Sequence, residues 1–121
     1  MIEELLDRTF RARNFAHMRH LGATSYAQHM ALGAFYDAII PAVDAIAETW
    51  MGLGNPKIED FAVGAMKPAK MNDTAEYLQA EADWLEENRE ELSMGNSAIG
   101  NLIDNLTGLY LGCVYKLENL A

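Results

Sequence analysis

The segment from residue 26 to residue 53 constrains the fold more than any other, because apolar side chains recur there at every third or fourth position. These side chains are Leu32, Phe35, Ile39, Val43, Ile46, Trp50 and Leu53. Such spacing places them on one face of an α-helix. Thr24 or Ser25 can cap its start, and Gly52 can end it. Pro41 removes one backbone donor, which predicts a local kink within a single long helix.

Three further segments share the helical period, and no segment has the alternation of a strand. They cover residues 3–20, a stretch from a cap at Asn72 or Asp73 to Leu92, and residues 96–119. Residues 54–72 are broken by glycine and proline and are long for a hairpin loop. Two short turns around one long crossover are the connectivity of a ferritin-like bundle. We therefore expect an all-α, ferritin-like four-helix bundle, with the crossover between the second and third helices, as one domain over residues 1–121.

Charge and cysteine content exclude several classes of function. The chain has 18 acidic and nine basic residues and a net charge of −9, without a lysine or arginine cluster, which argues against nucleic acid and anionic membranes as partners. Part of the excess lies on the third predicted helix, where Glu81, Glu86 and Glu90 belong to a face expected to be solvated or to line an acidic cavity. The single Cys113 is expected to be buried and inert, and a reducing, cytoplasmic location follows. No apolar run reaches the roughly 18 residues of a membrane span, so the sequence predicts none.

All three histidines lie within residues 16–30, and they are the candidate metal ligands. His29 shares the long helix with Asp44 and Glu48, which are four residues apart and project from one face. Fifteen residues at ~1.5 Å each separate His29 from Asp44 by roughly 22 Å, too far for one ion. Two antiparallel copies about a two-fold axis would bring His29 of one chain opposite the carboxylates of the other. His17 is expected to fold back beside His29, and His20 to face solvent.

The predicted site therefore has two imidazoles, His17 and His29, and two carboxylates, Asp44 and Glu48. This mixture of nitrogen and oxygen ligands suits ferrous iron, manganese or zinc, and it lacks the thiolates that are typical of structural zinc sites. Iron is the metal that we expect first.

The order of these ligands resembles the ferroxidase motif of the Dps-type miniferritins. Eleven residues separate His17 from His29, fourteen separate His29 from Asp44, and three separate Asp44 from Glu48. The resemblance covers roughly residues 12–54, and Tyr26 and the run "DAIAE" belong to it. It implies a ferroxidase that oxidises Fe(II) with peroxide or dioxygen at intersubunit sites and stores ferric mineral in a shell, dodecameric in that family. It implies no catalytic residues besides the metal ligands.

The departures from the motif leave a second interpretation open. One turn after His29 the family usually has another acidic ligand, but this chain has Gly33, and Asp37 is the nearest substitute. The lysine-rich tails of DNA-binding members are absent, so DNA binding is not expected. The alternative is a non-catalytic, oligomeric structural or interaction protein of ferritin-like fold. Another branch of ferritin-like metal proteins ranks last, because the Glu-x-x-His pairs of that branch are missing.

Overall fold

The computed structural model describes residues 1–66 and 73–120, and this part of the chain contains four α-helices and no strand. The helices are α1 (Ile2–Leu21), α2 (Tyr26–Gly52), α3 (Thr74–Ser93) and α4 (Ser97–Asn119). Their bounds are close to those expected from the apolar period. The prediction of an all-α, four-helix bundle is therefore confirmed.

Local sequence signals explain where the helices begin and end. The Ser25 hydroxyl accepts a hydrogen bond from the Gln28 amide at 3.0 Å, and the Asn96 side chain accepts one from the Ile99 amide at 3.1 Å. Asp73 precedes α3 without a capping hydrogen bond from its side chain, whereas the alternative cap, Asn72, lies outside the described residues. Helix α2 continues through Pro41 without a break, so the prediction of a single long helix is confirmed.

Two antiparallel hairpins make up the bundle. The first joins α1 to α2 through residues 22–25. The second joins α3 to α4 through Met94 and Gly95, which both adopt positive φ (52° and 71°) and so reverse the chain within a tight turn. Each hairpin packs its helices closely along their length.

The hairpins pack with α2 against α4 and α1 against α3. Phe35 of α2 meets Tyr110 of α4 edge-on, with ring centroids 5.0 Å apart. Phe15 of α1 stacks on Tyr77 of α3 at 4.3 Å. One groove at the end of the bundle is lined both by Gln28, at the start of α2, and by residues 74–76 at the start of α3. These helices therefore begin at the same end and run parallel.

The chain between α2 and α3 must consequently return along the whole bundle, about 40 Å for a helix of 27 residues. Its described part packs on α1. The Phe61 ring meets the Phe10 ring edge-on at 5.2 Å, and the Gly64 amide donates to the Asp7 carboxylate at 2.7 Å. The described part of the connection after α2 therefore lies against α1.

The buried core follows the apolar stripes, with two exceptions. Leu53 is about half exposed, and Glu81, expected on the solvated face of α3, is only 8% exposed. The Glu81 carboxylate accepts a hydrogen bond from the Arg8 guanidinium at 2.6 Å, and Arg8 also lies over the Trp84 ring. Burial raises the pKa of Glu81, against the opposing effect of Arg8. The prediction for Glu81 was wrong because the position lies where α3 faces α1, and Arg8 supplies a partner there.

By length and composition α2 could cross a membrane, since a window of it has a mean hydropathy of 1.5. The central helix of a bundle core passes the same test, and seven residues of α2 are buried against its neighbours. The finding is weak evidence, and location stays a prediction.

Candidate functional site

The predicted carboxylate ligands lie near the C-terminal end of α2. Asp44 and Glu48 are both exposed, beside an open groove whose α1 wall is formed by Leu6 and Phe10. Within residues 1–66 and 73–120, neither carboxylate forms an ion pair or a side-chain hydrogen bond. The two groups are therefore free to bind a cation or a positively charged partner.

The predicted imidazole ligands lie at the opposite end of the same helix pair, where α1 turns into α2. The rings of His20 and His29 stack with their centroids 3.7 Å apart. His20 Nδ1 lies 2.7 Å from the His29 carbonyl oxygen, and His29 Nδ1 lies 3.0 Å from the His20 carbonyl oxygen. We call this reciprocal arrangement the histidine clasp. It closes the turn between α1 and α2 with two side-chain hydrogen bonds.

The clasp determines which ring nitrogen donates to the backbone. A carbonyl oxygen can only accept, so Nδ1 is the donor in His20 and in His29, and Nε2 has no hydrogen-bond partner among the described residues. Metal-binding histidines commonly donate from one ring nitrogen to a backbone carbonyl and bind the ion through the other. Both rings therefore have the hydrogen bond that commonly accompanies a metal-binding imidazole.

His17 lies one turn before His20, and its ring stacks on Tyr36 with centroids 4.3 Å apart and an angle of 15° between the planes. Arg13 lies over the Tyr36 ring, at 5.0 Å from its centroid. In the described part of the chain no hydrogen bond engages the His17 ring. The histidine that stands against His29 is thus His20, and not His17 as expected. The reason is that His20 is in the last turn of α1, closest to the start of α2.

The position of the His20 ring explains why residue 33 is a glycine. A Cβ atom built on Gly33 would lie 3.0 Å from Cε1 and 3.1 Å from Nδ1 of His20. Few real Cβ atoms have so close a neighbour, so the ring of His20 occupies the space in which a longer side chain at position 33 would begin. The absence of a side chain at position 33 therefore allows the His20 ring to pack directly against α2.

The structure does not bring all four predicted ligands together within one chain. In the portion that the structure describes, no group of three or more histidine, cysteine, aspartate or glutamate side chains could hold a metal ion. The imidazoles and the carboxylates remain at opposite ends of α2, as the roughly 22 Å separation requires. Sequence reasoning gave His20 too small a role, although its spacing of three residues from His17 was a signal that both share a helix face.

Comparison with known families places the chain in one of them. A family of unknown function, DUF5856, matches residues 20–117, which is most of the chain, and the protein belongs to that family. The searches of curated proteins and of solved structures give no match. The match includes the histidine clasp, both carboxylates and all of α2, α3 and most of α4.

Proposed function

We propose that this member of the DUF5856 family is a ferritin-like, Dps-type protein that oxidises Fe(II) at sites shared between two-fold related copies. Iron is the substrate. Ferrous ions would each give an electron to peroxide or dioxygen, and the ferric product would be stored as mineral inside a shell, with twelve subunits by analogy with Dps. The ferritin-like assignment is supported by the hairpin order, with α2 parallel to α3 and one long connection between them.

One observation carries the proposal: the two halves of the ligand set lie at opposite ends of the same α1–α2 surface. His17 and His29 are at one end, and Asp44 and Glu48 are at the other. A two-fold axis near the middle of α2 would superpose one end on the other, twice over, and form two equal sites.

The donor atoms fit iron chemically. Nδ1 of His29 donates to a carbonyl and leaves Nε2 to bind an ion, and the carboxylates have no competing cation among the described residues. Two nitrogen and two oxygen ligands suit ferrous iron, and manganese or zinc would also fit. The net charge of −9 would favour accumulation of cations near the protein surface. The same charge and the absence of a basic arm argue against DNA as a partner.

The Gly33 departure bears on the second iron position. A carboxylate at residue 33 would meet the His20 ring, so an imidazole stands where Dps-type proteins usually have an anion. Two ferrous ions close together need anionic ligands to offset their charge. We therefore expect one tight iron position per site and a weak second one.

The decisive experiment replaces the carboxylate half of the site. Asp44→Ala/Glu48→Ala should abolish peroxide-dependent oxidation of Fe(II), while helical circular dichroism and assembly stay unchanged, because both side chains are exposed. Glu86→Ala/Glu90→Ala is the matched control, since it removes two exposed carboxylates with the same spacing from α3 and should keep the activity. Equal oxidation rates in the wild type and the Asp44/Glu48 variant would rule out the ferroxidase function.

Mixed assemblies test whether the site is shared. A dimer of one His29→Ala chain and one Glu48→Ala chain combines both defects in one site and leaves the other site intact. Oxidation should therefore return when the two inactive variants are refolded together. If the mixture stays inactive while both variants assemble, the site is not shared between chains.

The alternative function is a non-catalytic, oligomeric structural or interaction protein. The histidine clasp favours it, because two of the three histidines have a structural role that needs no metal. Such a protein would assemble in solution but would neither retain iron nor oxidise it. Metal analysis of the purified protein, together with the oxidation assay, separates the two functions.

A further inference from the structure

We infer that His17 and His20 form a two-imidazole site for a divalent transition metal within a single chain, at the α1 end of the histidine clasp. The two residues are three positions apart on α1, so both project from one face of the helix. Their ring centroids are 6.2 Å apart, with 56° between the planes. The inference rests on the proposed function only in sharing His17 with the iron site.

His20 is held ready for this role by its neighbour. Its Nδ1–H donates to the His29 carbonyl at 2.7 Å, which fixes the ring and leaves Nε2 as the nitrogen that can bind an ion. The ring also lies against Gly33, which has no side chain to displace it. A backbone carbonyl on the far nitrogen is the contact that raises the basicity of a metal-binding imidazole.

His29 cannot share an ion with His20 in this arrangement. An imidazole binds a metal in the plane of its ring, whereas the two rings are stacked at 3.7 Å with only 22° between their planes. An ion placed between them would lie far out of both planes. His29 is therefore a positioning residue for His20 and remains available to a second chain.

The stacking of the His17 ring does not prevent it from sharing an ion with His20. Stacking on Tyr36 uses the face of its ring and leaves the edge, with both nitrogens, open, and no described residue forms a hydrogen bond with it. His17 also lines an open groove with Asn14 and Met18, which gives solvent and ions access. Separated centroids and inclined planes allow two imidazole edges to face one ion, unlike the stacked pair.

The ligand chemistry selects the class of ion. Two imidazoles without thiolate or carboxylate favour zinc, copper or nickel over magnesium, calcium or manganese. Water would fill the remaining coordination positions of a single chain. Arg13, close to the Tyr36 ring on which His17 stacks, places a positive charge in the neighbourhood and limits the affinity.

Calorimetric titration of the metal-free full chain with zinc chloride tests the inference, and it is repeated in the Asp44→Ala/Glu48→Ala background, which removes the shared site that would also take zinc. The chain should bind one zinc ion in both backgrounds, and His17→Asn and His20→Asn should each weaken binding by at least about tenfold in both. Met18→Leu is the control, since it changes an exposed neighbour in the same groove while conserving volume, and it should bind zinc as the wild type does. Circular dichroism verifies the helical content of each variant.

A measurement on the unaltered protein avoids dependence on variants that fold poorly. Zinc should shift the ¹⁵N resonances of the Nε2 atoms of His17 and His20, while the Nδ1–H of His20 stays protonated. Wild-type affinity in folded His20→Asn, or an unmoved His20 Nε2 resonance at saturating zinc, would overturn the inference. Loss of the ferroxidase function looks different, because the protein would then bind zinc normally and fail to oxidise Fe(II).

Discussion

The two hairpins share one packing arrangement at their closed ends, but the side chain that makes the contact is hydrogen-bonded differently in each. In each, a planar side chain from the last turns of the first helix lies over a glycine of the second helix: His20 over Gly33, and Arg89 over Gly100. Arg89 is held by a bidentate ion pair, because Nε and Nη2 of its guanidinium donate to the two oxygens of Asp104 at 2.7 and 3.0 Å. His20 is bound through one nitrogen only.

We call the closed end of each hairpin its corner. The difference distinguishes the α3–α4 corner, whose ion pair stabilises the fold, from the α1–α2 corner, whose imidazoles can still bind a metal. The α3–α4 corner pairs the Arg89 guanidinium with Asp104, and a guanidinium has no lone pair with which to bind a metal. The α1–α2 corner leaves Nε2 of each clasp ring without a hydrogen-bond partner among the described residues, and His17 adds a third imidazole beside them. We therefore expect the corners to respond alike to changes in packing and differently to metal.

The largest expected effect concerns the contact between the two hairpins, where the Cys113 thiol of α4 lies against the Ala31 carbonyl of α2. Burial raises the pKa of the Cys113 thiol to about 12, from an ordinary value near 9. A raised pKa in the folded state means that the stabilisation is complete below pH 9 and is lost as the pH rises towards 12. From pH 9 to 11 the free energy of unfolding should fall by about 2 kcal/mol from this group.

Urea denaturation at pH 7, 9 and 11 measures this change. The raised pKa of Tyr77, about 12, acts in the same direction. Cys113→Ala should lower the stability at pH 7 but flatten its decline with pH. An unchanged slope in this variant would show that the thiol stays protonated in both states or is accessible in the folded one.

The second prediction compares the glycines directly. Gly33→Leu and Gly100→Leu should each destabilise the protein by about 1–3 kcal/mol, since the new side chain must displace a held group. The Cβ positions lie 3.0 Å from His20 and 2.7 Å from Arg89. Only Gly33→Leu should also weaken zinc binding. If Gly100→Leu weakens zinc binding equally, the effect is a general loss of structure.

A third, smaller effect is expected at helical glycines against which no side chain packs. Gly108 and Gly112 lie within α4, and a Cβ at either would have no neighbour within 4 Å. Gly108→Ala should raise the free energy of unfolding by about 0.5–1 kcal/mol, because alanine loses less backbone entropy in a helix. Thermal unfolding of a dilute sample measures this gain. Destabilisation instead would indicate that another chain packs against this face.

The smallest expected effect is at the ion pair itself. Asp104→Asn should change the melting temperature only slightly, because the pair is exposed and screened by water. The difference from the wild type should disappear at 1 M salt, where the screening length falls to about 3 Å. A salt-independent loss would mean that Asp104 supports Gly100 packing and does more than pair with a charge.

Much of this architecture follows from local signals in the chain. The caps at Ser25 and Asn96 are read from side chains that accept amide hydrogen bonds within one turn, and these interactions need no tertiary context. The apolar period likewise identifies α2 and α4. Glu81 was misjudged because its partner, Arg8, is 73 residues away, and only the approach of α1 to α3 reveals it.

The sequence by itself determined the four helices, the acidic surface and the clustering of all histidines near one turn, because these depend on residue spacing and composition. Only the tertiary structure decided which histidines touch. His17 and His20 differ by three positions, and both are near His29 in the chain, but side-chain direction at the end of α1 selects His20 for the clasp. The same packing explains Gly33, since the space above a glycine exists only when two helices lie side by side.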